Sequence, residues 1–181
     1  RAPEEQLDQV AAYPFMKPIF GADVVFDTSV EQRKQAIKNR SLRDEFMRGH
    51  AEGIAAETER MAQRLGGEGT LDLLDFFSEL TLYTSSSCLL GREFRDELGP
   101  GFAEAYKDLE RGTDAFAYVN PHLPLPSFRT RDRARARLVT MVSEIIARRE
   151  RERRETSDLL HVLTRLRKPD GSPRYSADQI T

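Results

Sequence analysis

The sequence predicts a mainly α-helical fold with minor β structure, and three observations support this. Apolar residues recur at helical spacing through the long segments 41–65, 71–90 and 129–154. Capping-box patterns at 29–32 and 176–179 are typical of helix starts. The turn sequence at 169–173, with two prolines and a glycine, is typical of a small hairpin and accounts for the β contribution.

Composition limits the class of protein. The chain has 181 residues, of which 39% are hydrophobic and 32% charged, with a net charge of -2, as in a soluble protein with one sizeable core. Its single cysteine, Cys88, excludes an intrachain disulfide and fits a reducing compartment, so we expect a cytoplasmic protein. No leader pattern and no long apolar run occur, which predicts neither secretion nor a transmembrane segment.

The most informative short segment is 13–27. Pro14 and Pro18 disfavour helix, and Gly21 permits a left-handed backbone or a close approach, so the sequence predicts an irregular loop. The loop is unusually apolar for a connection, because it carries Tyr13, Phe15, Met16, Ile19, Phe20, Val24, Val25 and Phe26. These side chains must face an apolar surface, which is either the cap of a core or the wall of a cavity.

The helices are predicted in chain order. A short helix from about Pro3 to Ala12 precedes the loop, and a basic helix with Lys34 and Ile37 follows the box at 29–32. The segment 41–65 predicts an amphipathic helix. The segment 71–90 is apolar around most of its circumference, which predicts a helix in the middle of a domain whose serine hydroxyls bond back to the preceding turn.

The second half begins with a predicted break at 99–101 and a helix to about Gly112. The proline-rich segment that follows, with Phe116, Tyr118, Leu123 and Leu125, is either a mobile lid over a hydrophobic entrance or a pinned surface loop. The arginine-rich segment 129–154 also contains an apolar stripe and many acids, so we interpret it as a long helix with a solvated face and expect no nucleic-acid partner. Ser157 is predicted to cap a further helix.

The residues of the loop carry a family resemblance. The run from Tyr13 to Gly21, followed by Val24, Val25, Phe26 and Asp27, resembles the loop between the B and C helices of bacterial sterol 14α-demethylases, a branch of the cytochrome P-450 superfamily of haem-thiolate monooxygenases. The segment 71–90 resembles the family's E helix, and 108–128 resembles its F helix and F–G connection. The resemblance implies that residues 1–181 form a single partial domain, an incomplete cytochrome P-450 fold from the B' to the H helix and the start of the I helix.

The resemblance also implies a site. In the complete parent protein, Gln9, Tyr13 and Lys34 would contact heme b, with Tyr13 and Lys34 at its propionates. The substrate would be contacted by a second set: Phe15, Met16, Phe20, Phe26 and Ile37. Cys88 lacks the sequence context of the haem-ligating loop and is expected to be a buried apolar residue rather than the iron ligand. No metal ligand and no catalytic residue is expected within 1–181.

The implied reaction is oxidative removal of the sterol 14α-methyl group, with molecular oxygen and electrons from a ferredoxin or flavoprotein partner. The family's oxygen-activating helix and cysteine loop would follow residue 181, so we expect an internal fragment that is inactive alone. Two alternatives remain open: a stand-alone helical binding module for a hydrophobic ligand, and a helical interaction protein that uses its arginine-rich helix on an acidic partner.

Overall fold

The structure, a computed structural model, describes residues 9–24, 27–29, 50–91, 94, 96, 99–156 and 158–181. These residues are mainly helical, as predicted. The α-helices are α1 (Gln9–Ala12), α2 (Lys17–Phe20), α3 (Ala51–Ala62), α4 (Leu73–Leu89), α5 (Gly99–Arg111), α6 (Pro126–Glu152), α7 (Leu159–Arg165) and α8 (Ala177–Ile180). The predicted basic helix after residue 29 lies outside the described residues.

The β contribution is smaller than predicted. Within the described residues no strand forms, and the hairpin is reduced to one antiparallel bridge between Arg167 and Pro173. Pro173 has no backbone N–H to extend a ladder, and Ser176 already caps the next helix. That capping box was predicted from the sequence and is confirmed, because Gln179 N–H donates to Ser176 Oγ at 3.2 Å and Ser176 N–H donates to Gln179 Oε1 at 3.0 Å.

The prediction of an irregular loop at 13–27 is wrong over residues 14–20. Pro14–Met16 form a 3₁₀ turn and α2 follows it directly. Each turn carries a proline at its first or second position, where no intrahelical N–H bond is needed, so proline fits instead of breaking the helix. The same reason corrects the predicted break at 99–101, since Gly99 and Pro100 form the first turn of α5.

The core lies between α5 and α6. Phe94 and Phe102 meet edge to face, with ring centroids 5.6 Å apart. Both rings belong to one cluster of buried residues. Its members are Phe94, Phe102, Ala105, Leu109, Ala134, Leu138, Val142, Ile145 and Leu160. The apolar stripe predicted along 129–154 therefore faces this core.

Helix α4 is less central than predicted. Its hydroxyls do bond back to the preceding turn, as Thr84 Oγ1 does to Leu80 O at 2.8 Å and Ser86 Oγ to Leu82 O at 2.6 Å. Its N-terminal half, however, is not central within the described part, because Leu74 is 79% exposed. Apolarity around the whole circumference therefore did not predict which side of α4 is covered here.

Two arginines of α6 are buried, which corrects the prediction of a fully solvated arginine face. Arg131 is 1% exposed; its Nη2 donates to Pro121 O at 2.9 Å, and its guanidinium lies 4.6 Å from the centre of the Phe128 ring. Arg149 is 6% exposed and forms an ion pair with Asp158 at 2.9 Å. Asp158 is also the N-cap of α7, one residue after the predicted Ser157, which lies outside the described residues.

Candidate functional site: an apolar cavity

An apolar cavity of about 360 Å³ lies between α2, α5, α6 and α8. Its polar groups are few, which is typical of pockets that bind hydrophobic small molecules. Burial, with a smaller contribution from Glu110, raises the pKa of Tyr106, so its hydroxyl stays a hydrogen-bond donor. The lining residues are Met16, Ile19, Phe20, Leu90, Phe102, Tyr106, Leu109, Glu110, Thr113, Leu138, Val142, Ile180 and Thr181.

Arg135 holds the outer wall of this cavity. Its Nε donates to Ile19 O at 3.1 Å, and its Nη1 and Nη2 donate to Asp178 Oδ1 and Asp178 O at 2.5 and 3.2 Å. One guanidinium of α6 therefore fixes both α2 and α8. Gly21, with φ of 90°, lets the backbone pass beneath it, since a Cβ there would lie 2.6 Å from Arg135 Nη2. The predicted close approach at Gly21 is confirmed.

The Arg135 bond gives a pH-dependent prediction. The hydrogen bond from Arg135 lowers the pKa of Asp178 in the folded chain. The bond therefore stabilises the folded chain fully above the unfolded pKa of about 3.9, and this stabilisation is lost as pH falls through the lower folded pKa. Because Asp178 is half exposed, we expect Asp178→Asn to cost about 1 kcal/mol at pH 7 and less at pH 2.5. Urea unfolding at both pH values measures this, with the exposed Glu59→Gln as control. An equal loss at both pH values would contradict the assignment.

The structure places the predicted substrate residues in two different environments. Met16 and Phe20 line the cavity. Phe15 does not line it; it is 4% exposed and packs with Ala117 and Phe128, with its ring centroid 4.0 Å from that of Tyr118. Phe26 and Ile37 lie outside the described residues. Leu138, Tyr106 and Ile180 were not predicted as lining residues, because they come from elements far along the chain.

The predicted lid contacts the opening segment. Leu123 and Leu125 pack on the cluster of Phe15, Ala117 and Phe128, while Tyr118 is 66% exposed over Phe15. These contacts hold the proline-rich segment against the 3₁₀ turn that carries Phe15. Whether the segment opens as a lid or stays a pinned surface loop remains a prediction.

Tyr13, a predicted haem contact, borders a small cleft. It is 40% exposed, and the cleft occupies about 140 Å³. Lys17, in the same cleft, is paired with Asp27 at 2.9 Å. The side chain of Gln9, and Lys34 as a whole, lie outside the described residues. No group of three His, Cys, Asp or Glu side chains in the described part is placed to hold a metal ion.

Cys88 has the chemistry of a structural thiol. It is half buried in α4, and burial raises its pKa, which favours the protonated form over the thiolate that iron binds. The prediction of a buried residue is thus met only in part, since Cys88 is half buried. None of the helices in the described ranges has both the length and the apolarity required to cross a bilayer.

Fold and cavity together define a helical protein with an apolar pocket. No family model matches the chain. Over its whole length it is 51% identical to the sterol 14α-demethylase of Mycobacterium bovis and 47% identical to that of Mycolicibacterium vanbaalenii, and it covers 41% of each. Over 94% of its length it is 34% identical to the sterol 14-demethylase of Arabidopsis thaliana, of which it covers 36%.

The chain is thus a homologue of the sterol 14α-demethylases along its entire length, and the family resemblance predicted from its residues is confirmed. Its identity to the mycobacterial proteins, 51% against 34% for the plant protein, supports the bacterial type. The chain spans about two fifths of the mycobacterial relatives, 41% of their length.

Proposed function

We propose that this chain is part of a haem-dependent monooxygenase that oxidatively removes the sterol 14α-methyl group, and that it supplies one wall of the sterol cavity. The observation that carries the proposal is the apolar cavity of about 360 Å³ beneath α2. The homologues support the proposal, because the proteins that match this chain over its whole length are named sterol 14α-demethylases. Electrons would come from a ferredoxin or flavoprotein partner.

In this function the lining residues bind the sterol and exclude water from it. Ile19, Phe20 and Leu138 offer apolar surface to the ring system. Tyr106 and Thr113, at the same cavity, can exchange a hydrogen bond with the sterol hydroxyl and so fix its orientation. When bound, heme b supplies the activation of molecular oxygen. Tyr13, together with Gln9 and Lys34, would hold its propionates by hydrogen bonds and charge.

Sterol binding by the complete enzyme tests the proposal. We expect Phe20→Ala to weaken the binding of a fluorescent sterol about tenfold, because a large part of the cavity wall is removed. Tight sterol binding by this chain alone, without haem, would instead favour the stand-alone binding module. Phe77→Ala is the matched control, since Phe77 is an exposed aromatic on α4, remote from the lining set. Unchanged affinity in Phe20→Ala, or an equal loss in both variants, would contradict the cavity assignment.

Phe15 requires a separate test, because its proposed substrate contact and its packing predict different results. As a residue that reads the sterol's C4 substituents, Phe15→Leu in the complete enzyme would shift the kcat/KM ratio of C4-monomethylated to C4-dimethylated sterols about tenfold with little change in stability. Its burial against Phe128 and Tyr118 favours the core-capping alternative. We therefore expect the free energy of unfolding to fall by about 1–2 kcal/mol and the ratio to stay constant. Measuring Tm and the paired kcat/KM values of Phe15→Leu decides between the substrate-contact role and the core-capping role.

A further inference from the structure

A second cleft lies at the C-terminal end of α6, about one turn beyond Val142 of the first cavity. It occupies about 420 Å³ where the last turns of α6 meet α7, and it shares no lining residue with the cavity beneath α2. Its floor includes the partly exposed Ile146, while Leu160 beneath it is fully buried in the core. We call it the corner cleft. Nothing in the proposed sterol reaction uses it.

The walls of the corner cleft carry excess positive charge. Five arginines line it against two carboxylates, Glu150 and Glu155. Arg149 is neutralised by its ion pair with Asp158 at 2.9 Å, which leaves four guanidinium groups against the two carboxylates. Of these four, Arg153 and Arg165 make no side-chain ion pair or hydrogen bond within the described part of the chain. Two guanidinium groups at this cleft can therefore accept an anionic partner without breaking a bond.

The backbone at Arg153 is that of a helix end. Arg153 ends α6 in the left-handed conformation, with φ of 51° and ψ of 36°. Its N–H and that of Arg154 both donate to Arg149 O, which caps the helix and accounts for this conformation. Glycine is the usual residue there, because a Cβ is disfavoured, so Arg153→Gly removes the guanidinium without straining the backbone.

We propose that the corner cleft binds a small organic anion, in which a carboxylate or phosphate group is joined to a short apolar chain. The guanidinium groups of Arg153 and Arg165 hold the anionic group, for which the planar arginine fork is well suited. The apolar chain lies on the partly exposed Ile146. The volume matches that of a small-molecule pocket. Glu150 and Glu155 on the rim disfavour a polyanion, which would have to pass both carboxylates.

Calorimetric titration of the chain with octanoate tests this, with inorganic phosphate and octanol as reference probes. We expect octanoate to bind more tightly than either reference, and its affinity to fall as salt is raised. Phosphate binding as tightly as octanoate would show that the floor contributes nothing, and octanol binding as tightly would show the same for the arginines; either result overturns the proposal. Displacement of octanoate by a saturating fluorescent sterol would place it in the other cavity and also overturn it.

Variants separate binding from structure. We expect Arg165→Gln to weaken octanoate binding about tenfold, and Arg129→Gln, an exposed arginine at the other end of α6, to leave it unchanged. Arg153→Gly should weaken binding similarly while Tm stays constant or rises, because glycine relaxes the left-handed residue. Wild-type affinity in Arg153→Gly and Arg165→Gln would overturn the proposal, as would a fall in Tm of Arg153→Gly that accounts for its loss of binding.

Discussion

Arg149→Met is expected to lower the free energy of unfolding by about 3–5 kcal/mol, because it leaves a buried carboxylate without its charge partner. Arg149 Nη1 donates to Asp158 Oδ1 at 2.9 Å, and both side chains are almost fully buried. Its Nη2 donates to Leu90 O at 2.9 Å, at the end of α4. Because Asp158 also accepts the N–H of His161 at 2.8 Å, the substitution disturbs three helix ends together.

Urea unfolding of the wild type and the variant measures this loss. Arg129→Met is the matched control, since the same chemical change on an exposed part of α6 should cost less than about 0.5 kcal/mol. The double variant Arg149→Met with Asp158→Asn should recover part of the loss, because the buried charge is then removed from both sides. A loss below about 1 kcal/mol in Arg149→Met would show that the ion pair contributes little.

Gly112→Ala is expected to destabilise the chain by about 3 kcal/mol through a steric clash. A Cβ on Gly112 would lie 2.2 Å from Arg131 Cβ and 2.7 Å from Arg131 Cγ. Arg131 cannot easily move away, because its stem is buried and its guanidinium is held by Pro121 O and by the Phe128 ring. The end of α5 would therefore have to separate from α6.

Gly53→Ala is expected to have the opposite effect, a gain in stability, in the same assay. Gly53 lies inside α3, and a Cβ there would meet no atom within 4 Å, so alanine should stabilise the helix by up to about 1 kcal/mol. Thermal unfolding of both variants gives the comparison. If Gly112→Ala unfolded at the wild-type temperature, the tight packing of α5 on Arg131 would be disproved.

Features that depend on neighbouring residues were predicted well. The capping box of α8 and the long helix α6 follow from local bonding and from helical periodicity, and the structure contains both. The prolines were misjudged because their effect depends on position: Pro14 and Pro100 stand in first turns, where the missing N–H costs nothing. A sequence pattern does not reveal where a helix starts when the proline itself begins it.

Features that depend on distant partners were missed. Arg149 bonds to Leu90, 59 residues away, and no local pattern distinguishes it from the solvated arginines around it. The cavity shows the same limit, since Met16 and Phe20 were predicted from the family resemblance, whereas Leu138 and Ile180 enter it only through folding. Phe15 and Phe20 differ in environment because the turns at 14–20 direct their rings to different sides. The prediction of an irregular loop could not reveal this difference.

The Arg135 tie has a consequence for the order of folding. Its bond to Ile19 closes a stretch of 116 residues, whereas its bond to Asp178 closes 43. Loop-closure entropy for the longer stretch is on the order of 4 kcal/mol, so the nearby pair α5 and α6 should associate first and the cavity wall should be completed last. Weakening Arg135 should then speed unfolding while leaving the refolding rate almost unchanged. The wall that completes the cavity is thus also the part of the chain that should open first.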